Sequence, residues 1–256
     1  MAFLGSRVPL GADRAGYYST APLEKTLLEL ADFSRLERRK PRLTVGAAHL
    51  RSSKMRYFDS RDTSLTVRHV MASGALPPAF PAVRIDGDLY WDGGILSNTP
   101  GEVVFDDYPR RNSMIFAAHM WNPDGAKPQT IDDVVHRHKD MQYASRLATH
   151  IARQKDTHRL RHIIHQLASH LPKSVRSKSE VREFLGYGCK SYMHVVRLLA
   201  PSLEQDDQTK DVDFRPLGIR TRWEAGYAKT MRALEQAPWN DAFNPIEGVI
   251  LHEPRD

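Results

Sequence analysis

Cysteine is almost missing from this 256-residue chain: Cys189 stands alone, so no intrachain disulfide can form. That usage suits a reducing compartment such as the cytoplasm. Long apolar runs are missing too. No stretch approaches the roughly 18 consecutive apolar residues of a membrane span. The opening MAFLGSRVPLGADRAG also has no apolar segment long enough for a secretory signal. The chain reads as soluble, or at most peripheral at a membrane. None of the fifteen glycines lies four positions from another, so Gly-x-Ser-x-Gly, the strained turn that exposes a nucleophilic serine, does not occur. Nor is there a triple glycine to supply backbone donors for an oxyanion hole. Internal repeats, low-complexity tracts and recognisable nucleic-acid motifs are absent as well.

What remains is ample for a globular protein. Apolar residues make up 41% of the chain, and the net charge of +6 favours anionic partners without choosing among them. Residues 1–19 read as an unanchored loop. Thr20 is placed to cap a helix with Pro22 in its first turn and Leu23, Leu27 and Leu30 at helical spacing. Leu43–Ala48 reads as a buried strand, Met55–Asp59 as a second, and residues 64–73 as a short helix stopped by Gly74. Val83–Trp91 has the pattern of a hairpin turning at Asp86-Gly87. Ser113–Met120 and Tyr192–Leu199 are further strands, and residues 218–236 a last helix.

The loop Asn122–Pro128 marks an expected boundary between a domain over 1–125 and a basic, mostly helical extension over 126–256. Within the extension, residues 136–182 hold eleven Lys or Arg against three acids, together with seven of the twelve histidines. Leu147, Ile151, Leu160, Ile163, Ile164 and Leu167 supply its apolar face, so it reads as a solvated helix pair docked on the first domain. Its one aromatic, Tyr143, leaves no platform for stacking bases, so nucleic acid is not an expected partner. His158, His162 and His165 fall on one helical face with His170 close behind, but no acid or cysteine accompanies them at matching spacing. They read as polar surface, with no metal expected. His136 and His138 lie on different helix faces and suggest nothing.

The chemistry sits at Trp91-Asp92-Gly93-Gly94. Two glycines after an acid let the backbone reverse sharply and hold the carboxylate rigidly. Alone, such a turn says little. Its setting says more: Ala72–Pro81 (ASGALPPAFP), then about ten residues, then Asp-Gly-Gly followed by Ser97-Asn98-Thr99-Pro100. Together with Tyr17–Leu36 and the strand LTVGAAHL, this resembles the patatin-like phospholipase family around the aspartate of its Ser–Asp dyad. Later pieces, from Lys139–Arg146 through His194–Leu198 and Trp223–Leu234 to Asn244–Val249, resemble the C-terminal extension of a bacterial subgroup. The resemblance implies a three-layer α/β fold with a mainly parallel sheet. It also implies hydrolysis of acyl esters in phospholipids or similar lipids, with no cofactor. Asp92 matches the catalytic base, and Gly93 and Gly94 shape its loop.

The serine half of that family's motif set has no counterpart here. Ser73 and Ser97 are the nearby candidates, yet neither has glycines two positions away on both sides, and Ser97 reads as a cap for a helix near Pro100. The expectation is therefore an N-terminally incomplete, inactive lipid hydrolase, from a shortened gene product or an internal start. A second chain carrying the missing half is a further expected partner. A non-catalytic lipid-binding or regulatory relic of the same fold is the alternative, and a basic nucleic-acid-binding module the remotest one. Contact with anionic membrane fits either of the first two readings.

Overall fold

The computed structural model describes residues 8–37, 41–125, 127–200 and 214–254, and it divides into two compact units, 1–98 and 99–256. The first contains α1 (Ala21–Leu30), α2 (Ser34–Glu37), β1 (Thr44–His49), β2 (Lys54–Asp59), α3 (Val67–Ser73), β3 (Val83–Ile85) and β4 (Asp88–Asp92). Its four strands form one sheet in the order β2-β1-β4-β3, and every pairing is antiparallel. The mainly parallel sheet expected here is thus not what this unit builds. The cause is local: short turns join β1 to β2 and β3 to β4, and a tight turn can connect only antiparallel neighbours. At the β3–β4 turn Asp86 and Gly87 both take positive φ, 49° and 89°, as the expected two-residue hairpin requires.

The core of this unit gathers Ala47, Phe58, Leu65, Met71, Ala72, Val83, Ile85 and Tyr90. Phe58 meets the rings of His69 and Tyr90 edge-on at 4.8 and 5.4 Å. Helix α1 is looser than its leucine spacing suggested. Only Leu27 packs on the core while Leu30 is 81% exposed, and Thr20 makes no side-chain cap. The described part of the leading loop is anchored rather than free: Tyr17 and Tyr18 donate backbone N–H groups to Pro78 and Ala79, and Ala82 donates to Ala12. Residues 1–7 of that loop lie outside the described residues.

The second unit contains α4 (Glu102–Phe105), β5 (Ser113–His119), α5 (Ile131–His170), α6 (Lys173–Arg176), α7 (Ser179–Leu185), β6 (Met193–Leu199), α8 (Pro216–Gln236) and β7 (Val249–His252). Strands β5, β6 and β7 form a three-stranded sheet, parallel throughout. The chain is therefore a mixed α/β protein in which the parallel pairing belongs to this part. The compact units divide upstream of the Asn122–Pro128 loop, because β5 finds its neighbours in β6 and β7 rather than in the earlier strands. Strand β7 lies beyond residues 218–236, the last element expected from the sequence.

The basic region is one 40-residue helix, α5, followed by two short ones, and not a helix pair. Thr130 caps it with a reciprocal bond pair to Asp133. Its buried positions are Asp140, Ala144, Ile151, His158 and His162, spaced by four and seven residues. Leu160 and Leu167, expected inside, are each 62% exposed. The side chain of Leu147 lies outside the described residues. No described helix is long and apolar enough to cross a membrane.

Candidate active site

Asp92 is the last residue of β4, paired with Ala47 of β1, and its backbone N–H donates to the Ala75 carbonyl at 3.0 Å. The ASGALPPAFP segment and the Asp-Gly-Gly turn are thereby joined. Immediately after Asp92 the chain coils into a 3-10 turn, Gly93–Ile95, and Asp92 caps it: Oδ1 accepts the Gly94 N–H at 2.7 Å. Leu96 and Ser97 return N–H groups to the Gly93 carbonyl, both at 2.9 Å, and lock the reversal.

Space rather than φ demands glycine at 93 and favours it at 94. A Cβ on Gly93 would lie 2.5 Å from the Gly46 carbonyl oxygen and 2.7 Å from its carbon, backbone atoms of β1 that cannot move aside. A Cβ on Gly94 would sit 3.1 Å from Asp92 Oδ1 and 3.1 Å from Asn98 Oδ1, crowding the carboxylate. Burial pushes the Asp92 carboxyl above its ordinary range, and the Gly94 N–H pulls back only in part. Among the described residues no other donor reaches this half-buried side chain. One carboxylate oxygen is held by the backbone; the other has no described partner.

Ser73 and Ser97 do not supply that partner. Ser73 spends its hydroxyl on the Val70 carbonyl at 2.8 Å, inside α3. Ser97 is buried, its backbone N–H bonded to the Gly93 carbonyl, and it does not cap α4, whose N-cap is Gly101.

The histidines of α5 divide in two. His165 and His170 are exposed, as is His138, while His136 faces Asp140 one turn on at 3.7 Å. His158 and His162, in contrast, are buried, and one donor atom from each lies within 4.8 Å of one from Cys189. Burial and the cationic Arg161 and Arg110 press His158 down to about 4, so at neutral pH its ring is uncharged. Sequence spacing could not have found this group, because Cys189 reaches it from a loop far along the chain.

In comparison with known families, residues 1–105 match the profile described as Patatin-like phospholipase, and residues 141–245 match the one described as Patatin phospholipase. Asp92, Gly93 and Gly94 fall inside the first match. No curated protein is similar enough to match.

Proposed function

The chain belongs to the patatin-like phospholipase family of lipid acyl hydrolases, and from that premise we propose that it contributes Asp92 as the general base of a Ser–Asp dyad. The observation that carries this reading is the state of the carboxylate. It is half-buried, raised in basicity, fixed through Oδ1, and without a described donor on its other oxygen. Such a group is built to take a proton from a hydroxyl brought against it. The serine would then attack the ester carbonyl of a phospholipid or related acyl lipid, and the alcohol would leave with the proton that Asp92 had taken. The resulting acyl-enzyme would be released by water, with Asp92 again accepting the proton.

We place no nucleophile among these 256 residues, because no Gly-x-Ser-x-Gly occurs in them, the Ser73 hydroxyl is bonded to the Val70 carbonyl, and Ser97 is buried. By themselves, these residues leave esters untouched. Without a serine there is no acyl-enzyme. Without oxyanion donors a further loss on the order of 10²–10³ in rate per donor follows. We also propose that the exposed cations of α6 and α7 bring the protein to anionic lipid surfaces.

The test is complementation. The purified chain should show no hydrolysis of phospholipids or nitrophenyl esters above background, and joining a serine-bearing segment from a relative should restore it. Asp92→Asn should then remove most of the restored rate. The same substitution should not lower Tm at neutral pH, since it takes a disfavoured charge out of a half-buried site. A restored enzyme indifferent to Asp92→Asn would reduce the turn to a structural relic. Activity of the unaided chain that Asp92→Asn removes would reveal a nucleophile within it.

A further inference from the structure

The second unit brings together three side chains that share a preference for borderline-soft cations. His158 and His162 lie one turn apart on the buried stripe of α5, and Cys189 comes from the loop leading into β6. One donor atom from each falls within 4.8 Å of the others. His158 is 0% exposed, and its Nδ1 has no hydrogen-bond partner, a rare condition for a buried polar atom.

The frame around them is tight. The Cys189 N–H donates to the Arg161 carbonyl at 3.3 Å and ties the loop to α5. A Cβ on Gly188 would stand 3.1 Å from the His165 backbone nitrogen, so only glycine lets the loop lie this close. Gly248, just before β7, has φ +69° and would place a Cβ 2.9 Å from His158 Cβ and 3.0 Å from His162 Nε2. His162 is held at both ends: Nδ1 is 2.7 Å from the Pro245 carbonyl oxygen and Nε2 is 2.8 Å from that of Ser191. A neutral imidazole can donate to only one of them. With its proton directed at Pro245, its Nε2 lone pair faces the Ser191 oxygen, and a cation relieves that opposition.

We propose that His158, His162 and Cys189 form a structural site for one divalent cation of the Zn²⁺ class, with the Ser191 carbonyl oxygen or a water completing the shell. Two imidazoles and a thiolate are a donor set that favours zinc over hard cations such as Mg²⁺ or Ca²⁺. On binding, the Cys189 thiol gives its proton to solvent, so the metal enters with its charge partly neutralised. His162 Nδ1–H on a backbone carbonyl is the outer contact that orients a metal-bound histidine. One adjustment is required: with the unpartnered Nδ1 of His158 on the ion, its Nε2 carries the ring proton, and the Arg161 guanidinium, whose Nη1 lies 3.3 Å from that Nε2, must turn away. The bound ion would pin α5, the loop before β6 and the start of β7 to one another, a role independent of the Asp92 chemistry.

The experiment uses the full chain stripped with a chelator and titrated with Co²⁺. One equivalent should bind with a thiolate-to-cobalt charge-transfer absorption, and Zn²⁺ should displace it. Cys189→Ser, a near-isosteric change, should abolish that absorption. It should also weaken binding by more than the roughly 10–100-fold typical of losing an outer contact. In the unmutated chain, Zn²⁺ should shield Cys189 from iodoacetamide, which keeps the idea testable even if the variant folds poorly. Substoichiometric binding, cobalt spectra without the thiolate band, or alkylation unaffected by Zn²⁺ would overturn the site.

Discussion

Asp59 and Asp92 end two strands of the same sheet, yet their surroundings drive them in opposite directions. Burial alone would raise Asp59, but Arg42 Nε at 2.8 Å, the Arg61 N–H at 2.8 Å and Thr44 Oγ1 at 2.7 Å hold it down to about 2. Asp92 has one backbone donor and stays raised. A carboxyl depressed from an ordinary 3.8 to about 2 lends stability that is fully present above its unfolded value. That stability disappears as pH falls from near 4 through 2. Its size is at most about 2–3 kcal/mol, taking roughly 1.4 kcal/mol per unit. Urea titrations between pH 5 and 2 should show this loss, and Asp59→Asn should flatten it while lowering stability at pH 7. An unchanged acid slope in the variant would remove Asp59 from the account. At this scale the sequence was informative about Asp92, because Asp-Gly-Gly and the alanine-proline segment before it are both local patterns. It was silent about Asp59, whose Arg42 and Thr44 donors are brought to it by the pairing of β1 with β2.

Among elements, the hairpin at Asp86-Gly87 was legible because its turn chemistry lies in two adjacent residues, and β5 and β6 because they are apolar runs of strand length. What the sequence hid was pairing direction and the inward stripe of α5. That stripe contains Asp140, His158 and His162, so a search for apolar spacing selected Leu160 and Leu167 instead, which face outward. The two choices separate experimentally. Ile151, 2% exposed and part of the second core, should cost about 2–5 kcal/mol when changed to Ala. Leu160→Ala should stay within about 0.5 kcal/mol, as exposed substitutions usually do. Chemical denaturation of both variants decides, and equal losses would put the stripe in the wrong place. The basic charge of the same region is also unevenly available. Lys155 and Arg159 are paired with Glu247, and Arg137 donates to the Asn122 and Pro123 carbonyls. Lys173, Lys178 and Arg182 are exposed on α6, α7 and the turn between them. Each cation near an anionic surface contributes about 1 kcal/mol, so changing these three to Gln should weaken binding to anionic vesicles on the order of a hundredfold. The binding should also fade with salt. Sedimentation that is salt-insensitive, or equal on neutral vesicles, would exclude this route to the membrane.

For the molecule as a whole, burial is divided between two separate cores, one built around Phe58 and Tyr90, the other around Phe105, Ile151 and Val195. Neither unit covers all its apolar surface. In the parallel sheet β5 is an edge strand among the described residues, and its buried positions Ala117 and His119 alternate with Met114 and Phe116, 42% and 47% exposed. An edge that offers both open backbone groups and an apolar face is a template for pairing with another chain. The protein by itself should therefore self-associate as its concentration rises. The net charge of +6 opposes that contact at low ionic strength, so added salt should strengthen self-association while it weakens vesicle binding. Met114→Lys places a charge on the exposed face of the edge without touching the core, and it should shift the population toward monomer at unchanged Tm. Light scattering coupled to size exclusion, run at several concentrations and two salt levels, provides the readout. A chain that stays monomeric throughout would show that the β5 edge is protected, and association that Met114→Lys leaves intact would move the contact to another surface, with Leu28 and Leu30 of α1 the next to test.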